Sequence, residues 1–249
     1  VAVKTIVFDV GGVFKDSRKA MHDSFAKAFH DHGMKLECGA TTIWRLRGLE
    51  GFNDSIAATR ALLATHGKGL EHLINKPRGE AELIKIIADA GLDPARVSRL
   101  RDEYRKYFYA PESAKGVRLF DGVEEGLERL AKKYTLGVVT NSLDAAVQRD
   151  VGHLLKSFAF VATDARKPDP AAYLKALKKR HIKPAEAVYV GDSASDIVMA
   201  RFAGSKSVAL LSGMGLEKHL RAARPNYVFE DFKEFTEYAL NSGFDKSKA

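Results

Sequence analysis

The chain has 249 residues, 45% of them hydrophobic, with one cysteine, Cys38, and a formal net charge of +8. This is enough apolar sequence for one large or two modest cores, while no run approaches the roughly 20 apolar residues that span a bilayer, so a membrane protein is excluded. A single cysteine excludes an internal disulfide framework, and a reducing cytoplasm is the expected compartment.

Val1–Lys4 lead straight into the first apolar run, so no signal peptide is expected. Ile6, Val7 and Phe8 read as a short buried parallel strand that ends at Asp9 and breaks at Gly11-Gly12. From Ser17 to about Ala110 the pattern is helical. Met21, Phe25 and Phe29 recur every four residues and stop at Gly33. Ile56 to His66 is a second amphipathic run, and Ala81 to Ala90 a third. Gly91-Leu-Asp93-Pro94 combines a terminating glycine, an aspartate N-cap and a first-turn proline for the helix that carries Val97, Leu100, Tyr104 and Phe108.

Beyond Pro111 strands and helices alternate. Strands are expected at Thr135–Thr140, Phe158–Ala162, Ala187–Val190, Ser207–Leu211 and Tyr227–Phe229. Helices fall around Val123–Leu130 and at Ala145–Leu155, Pro170–Arg180, Ala194–Ala203 and Phe232–Leu240. Such alternation builds right-handed βαβ units, so the fold class is α/β with a Rossmann-like parallel-sheet core. The first strand lies almost a hundred residues from its partners, with only helices between. Residues 1–14 and 113–249 are therefore expected to form the core, and 15–112 an inserted helical cap with hinges near its crossings.

Polar residues gather where core strands end. Asp9 follows the first strand, Thr140-Asn141-Ser142 the second, Lys167 the third, and Asp192 with Asp196 the fourth. Each alone has an ordinary structural reading as a cap or turn residue. Together they supply an anionic nucleophile, a hydroxyl, a cation and two acids able to hold a hard ion such as Mg²⁺, a set suited to phosphoryl transfer. The positive charge is spread over separate helices, such as Lys132-Lys133 and Lys178-Lys179-Arg180. These read as solvated faces suited to an anionic small substrate, not to nucleic acid. The scattered histidines form no zinc frame, and Gly213-Met214-Gly215 reads as a turn.

The stretches Phe8-Asp-Val-Gly-Gly-Val-Phe-Lys-Asp-Ser17, Val139-Thr-Asn-Ser142, Arg166-Lys-Pro-Asp-Pro170 and Val188-Tyr-Val-Gly-Asp-Ser-Ala-Ser-Asp196 resemble the four ordered motifs of the haloacid dehalogenase superfamily. The segment from Lys167 through Gly204 is similar to its phosphoglycolate-phosphatase-like branch, which carries a helical cap at the same place. The resemblance implies a Mg²⁺-dependent phosphatase acting on a small phosphorylated metabolite, as a monomer or homodimer. It implies that Asp9 is the nucleophile of an aspartyl-phosphate mechanism, that Thr140 and Asn141 meet the substrate, and that Lys167 pairs with Asp9 and the phosphoryl oxygens. Mg²⁺ is implied between Asp9, the Gly11 carbonyl, Asp192 and Asp196.

Gly11 departs from the motif, which usually has an aspartate there as general acid and base. The loss of such a group costs roughly 10²- to 10⁴-fold, so a slow enzyme, one biased to good leaving groups, or a metabolite-binding relative is expected, unless Asp16 or a cap residue replaces it. A 2-haloacid dehalogenase also lacks that acid but uses no metal. A phosphonoacetaldehyde hydrolase needs a cap lysine, absent from Trp44-Arg-Leu-Arg-Gly-Leu-Glu-Gly51. In that segment Gly48 and Gly51 suggest a loop, with Arg45 or Arg47 placed for a second anionic group on the substrate.

Overall fold

A computed structural model describes residues 2–76 and 79–244. Strand β1, Thr5–Phe8, is buried along its whole length, as its uninterrupted β-branched and aromatic residues demand of a central parallel strand. The chain then turns tightly. Gly12 N–H donates to the Lys15 carbonyl at 3.0 Å and Phe14 N–H to that of Val10 at 3.0 Å, and a short strand β2 follows at Lys15–Asp16.

Six helices come next: α1 (Arg18–Asp31), α2 (Ala40–Gly48), α3 (Ser55–Ala64), α4 (Leu70–Asn75), α5 (Gly79–Asp89) and α6 (Pro94–Tyr109). The N-terminus of α6 is capped as its sequence dictates, with the Asp93 carboxylate accepting from the Ala95 and Arg96 amides. Phe25 of α1 stacks on Tyr104 of α6. The expected loop around Trp44 is instead the helix α2. Its apolar residues Ile43, Trp44 and Leu46 are buried, and that burial outweighs the local signal of the glycines that follow them. The helix α4 carried no clear periodicity.

The remaining elements alternate. They are β3 (Arg118–Leu119), α7 (Val123–Ala131), β4 (Thr135–Val139), α8 (Asp144–Val151), β5 (Phe160–Ala162), α9 (Ala171–Lys179), β6 (Ala187–Gly191), α10 (Ala194–Ala203), β7 (Lys206–Leu210), α11 (Glu217–Ala222), β8 (Tyr227–Phe229) and α12 (Phe232–Asn241). The chain divides into two compact units, Val1–Asp16 with Arg118–Ala249, and Ser17–Val117. Among the described residues no helix is long and apolar enough to cross a membrane.

In the first unit six strands form a parallel sheet in the order β5-β4-β1-β6-β7-β8. Successive side chains of β1 serve opposite faces. Ile6 and Phe8 pack in one core with Val123, Leu127, Phe232 and Phe235 of α7 and α12. Val7 packs in the other with Tyr173, Leu177, Met199 and Ala200 of α9 and α10. From β1 the chain builds outward to β4 and β5, then returns to build β6, β7 and β8 on the other side. That reversal leaves a crevice at the carboxyl ends of β1, β4 and β6, where open α/β sheets bind ligands.

A buried ion pair braces this unit. Lys15, its side chain 4% exposed, forms an ion pair with Asp150 of α8, whose side chain is fully buried. Arg149 Nε shares Asp150 at 2.6 Å. Burial lowers the Lys15 pKa despite the attraction of Asp150. Burial alone would raise that of Asp150, but Arg149 and Lys15 together hold it below the usual range. The burden thus falls on the lysine, which Arg149 repels. We expect Asp150→Ala, which strands a buried ammonium, to lower the unfolding free energy in urea by about 3–5 kcal/mol. Lys15→Met leaves Asp150 with Arg149 and costs much less, and equal losses for the two variants contradict this account.

Candidate active site

The site begins where β1 ends. Asp9 keeps the ladder for one more residue, its amide donating to the Val190 carbonyl at 2.9 Å, and its carboxylate emerges at the crevice. Beside it, just past the end of β4, the buried Thr140 donates its amide to the Ala162 carbonyl and accepts from the Ala165 amide through its own carbonyl. Its Oγ1 accepts from the Ser142 amide at 3.2 Å. The side-chain oxygen of Asn141 accepts from the Lys167 amide at 3.0 Å. In the structure Asn141 therefore ties the loop after β4 to the loop that presents Lys167.

The Lys167 ammonium is buried between two acids, 2.9 Å from Asp9 Oδ1 and 2.6 Å from Asp196 Oδ1. Burial alone would lower its pKa, but Asp196 and Asp9 outweigh burial and raise it above the ordinary range, so it stays charged. Tyr189 of β6 lies under it, with the phenol oxygen 3.4 Å from Nζ and donating in turn to the Val139 carbonyl. Burial, reinforced by Asp196 and Asp9, keeps that phenol protonated. Tyr189 is a member of the site that the sequence does not mark. Its only signal was a polar-tipped aromatic among the valines of β6.

Asp192 and Asp196 flank the start of α10. Asp196 Oδ2 accepts from the Asp192 amide (3.2 Å), the Ser193 amide (3.0 Å) and the Ser193 hydroxyl (2.7 Å). Asp192, 1% exposed, accepts from the Met214 amide at 2.8 Å through Oδ2. Burial first, then Asp196 and Asp9, drive the Asp192 pKa well above the carboxylate range. Burial also raises that of Asp196, despite Lys167, while Asp9 adds to the rise.

Asp9, Asp192 and Asp196 each offer a carboxylate oxygen, and these three oxygens lie within 4.8 Å of one another. Among the described residues no histidine or cysteine joins such a group. Once all three are ionised, three carboxylates against one ammonium leave a deficit of two positive charges, which suits a divalent cation that displaces the proton. The all-oxygen donor set suits a hard ion. Asp9 Oδ1 and Asp196 Oδ1 share the single Lys167 ammonium, so a second cation would complete their partners.

At Gly11 nothing lies within 4 Å of where a Cβ would stand. Asp16, the next acid along the chain after Gly11, is buried and engaged by the guanidinium of Arg118 on β3, with Nε and one terminal nitrogen each 3.2 Å from Oδ2. It is already committed as the acceptor of that pair, so the expectation that it might stand in for the missing acid loses its support. Arg45 and Arg47 lie in the last turn of α2. The Arg47 guanidinium bonds the Asn53 carbonyl and meets the Tyr104 hydroxyl within the helical unit. Cys38 is half-buried and burial pushes its thiol up to about 11, which makes it a poor nucleophile.

A family model described as haloacid dehalogenase-like hydrolase matches residues 6–210. The chain is 31% identical over 211 residues to the phosphoglycolate phosphatase of Pectobacterium atrosepticum, spanning 81% of this chain and 89% of that protein. It is 29% identical over 189 residues to that of Mannheimia succiniciproducens, spanning 72% and 81%. Among solved structures, a predicted phosphoglycolate phosphatase from Haemophilus somnus superposes with a TM-score of 0.73 at 23% identity, covering 95% of this chain and 98% of the other. A predicted phosphatase from Clostridium acetobutylicum gives 0.66 at 18%, covering 96% and 99%.

The raised Asp192 pKa has a consequence for metal binding. The folded state holds this proton more tightly than the unfolded chain, so the metal-free protein loses stability as pH rises from the usual carboxylate range through the folded value. A cation competes with the same proton. We therefore expect Mg²⁺ to raise the melting temperature more at about pH 8 than at about pH 5. A Mg²⁺ effect that is larger at the lower pH contradicts this.

Proposed function

The chain belongs to the haloacid dehalogenase-like hydrolases, and from that premise we propose that it is a phosphatase of small phosphorylated metabolites, dependent on Mg²⁺ and acting through an aspartyl-phosphate on Asp9. The observation that carries this reading is the convergence of Asp9, Asp192 and Asp196 around the Lys167 ammonium. A metal-free dehalogenase has no use for three clustered carboxylates.

In this reading Asp9, the Gly11 carbonyl, Asp192 and Asp196 hold the ion. When bound, it supplies charge neutralisation to Asp9 and to the phosphoryl oxygens. Asp9, held by its amide bond to Val190, attacks phosphorus. The bond from phosphorus to the leaving oxygen breaks, and the electron pair leaves on that oxygen. Lys167 keeps Asp9 ionised and oriented and faces the equatorial oxygens, while the Thr140 hydroxyl donates to the phosphoryl group. Water then attacks the aspartyl-phosphate, releasing inorganic phosphate and restoring Asp9. The helical unit Ser17–Val117, in place of the expected 15–112, serves as the cap, and Arg45 or Arg47 meets a second anionic group on the substrate.

Gly11 decides which substrates suit this machinery. It brings no proton to the leaving oxygen and no base to the water. An acyl, aryl or anomeric phosphate leaves without help; an alkoxide does not. With such a substrate the first step is fast and the second slow, so a burst of leaving group equal to the enzyme present precedes steady turnover. A phosphoglycolate phosphatase like the relatives cleaves an alkyl phosphate, and here that reaction lacks its acid.

The space beside Gly11 makes the test direct. The backbone there requires no left-handed conformation and an added Cβ meets nothing, so Gly11→Asp is tolerated. On a panel of alkyl, aryl and acyl phosphates and haloacids, with and without Mg²⁺, we expect the wild type to release phosphate only with metal and to favour the aryl and acyl esters. Gly11→Asp should raise alkyl phosphate turnover by roughly 10²- to 10⁴-fold, and Asp9→Asn should abolish all of it. Fast wild-type turnover of alkyl phosphates overturns the leaving-group reading. Metal-independent halide release, or binding without turnover of either class, overturns the phosphatase.

A further inference from the structure

The segment Gly213-Met214-Gly215 follows β7 and reads in the sequence as an ordinary turn. In the structure it wraps Asp192. The Met214 amide donates to Asp192 Oδ2 at 2.8 Å and the Gly215 amide to the Asp192 carbonyl at 3.0 Å. A Cβ on Gly213 would stand 2.2 Å from Asp192 Cβ and 2.3 Å from Oδ2, and one on Gly215 would stand 2.1 Å from the Asp192 carbonyl oxygen. Neither glycine has a positive φ. Backbone conformation therefore asks for no glycine at either place, and proximity to Asp192 is what does. From the opposite side Gly12 closes the same carboxylate, since a Cβ there would lie 1.9 Å from Oδ2.

The geometry points to Gly213-Met214-Gly215 as the positioning element of the metal centre. Its Met214 amide fixes the rotation of the Asp192 carboxylate, and its two glycines admit the backbone that brings the amide there. This rests on the reading of Asp192 as a metal ligand. Asp192 is buried beside two other acids, and the Lys167 ammonium pairs with those two. A backbone N–H is a donor that cannot titrate away or change rotamer, and it holds the carboxylate plane before the ion arrives. Pre-organisation of this kind raises affinity by removing the cost of ordering the ligand on binding. The contact is made by the Met214 backbone and not by its side chain, so any residue with an amide would serve between the two glycines.

The test uses Mg²⁺ alone, titrated by calorimetry into the full chain as wild type, Gly213→Ala and Gly126→Ala. Gly126, on α7, is the control for tight packing away from the site, because a Cβ there would meet the Phe232 ring and Thr236 Oγ1 at 2.8 Å. We expect Gly213→Ala to weaken Mg²⁺ binding by at least about tenfold, within the range that changes around metal ligands produce. Gly126→Ala should bind Mg²⁺ as the wild type does, whatever it loses in melting temperature. In the wild type, the backbone amide signal of Met214 should be protected from hydrogen exchange without metal and should shift along the same Mg²⁺ titration. That measurement stands even where Gly213→Ala fails to fold. Unchanged affinity in Gly213→Ala, or an unprotected Met214 amide in the wild type, overturns the inference while leaving the metal site standing. A wild type that binds no Mg²⁺ overturns both.

Discussion

The site depends on one ammonium among acids. Lys167 stands between Asp9 and Asp196 with Asp192 beside them, all out of bulk water. Such a group costs several kcal/mol per ion to bury, and attraction offsets this only where the geometry is good and the remaining lone pairs are used. Much of the surrounding polar structure meets that condition. Ser193 gives Asp196 two donors, Met214 gives Asp192 one, Asn141 fixes the Lys167 loop, and the Tyr189 hydroxyl accepts from the ammonium. What remains, once all three acids are ionised, is a deficit of two positive charges, and a site with that deficit is prepared for a divalent ion.

The sheet makes the cluster possible. Asp9, Thr140 and Asp192 come from chain segments more than a hundred residues apart at the extreme. They meet because β1, β4 and β6 are adjacent and parallel, with Thr5 facing Thr135 on one side and Ala187 on the other. The register places the ends of the three strands at one level, and the polar residue after each strand falls on the crevice. Function is thus set by where apolar strands stop.

For that reason most of the site was legible in the sequence. A buried strand announces itself by β-branched residues, and a carboxylate, a threonine or a Gly-Asp pair at its end is visible without coordinates. Capping signals were equally plain at Asp93-Pro94. What escaped reading has a common cause. The embrace of Asp192 by Gly213, Met214 and Gly215 is made by backbone, which sequence does not encode locally. Lys15 and Tyr189 look like surface or packing residues until Asp150 and Lys167 are seen beside them. The helix around Trp44 is decided by burial of its apolar face, and the glycines after it pointed the other way. Gly11 was visible at once, but only the structure shows open space where an aspartate would stand.

The central claim is that Asp9 takes the phosphoryl group itself. Its most direct test is to quench the protein with Mg²⁺ and an aryl phosphate during turnover, digest it, and locate the phosphoryl group by mass spectrometry. A phosphorylated peptide bearing Asp9 is expected, absent from Asp9→Asn. Steady phosphate release with Asp9 never modified, or a phosphopeptide that persists in Asp9→Asn, contradicts it.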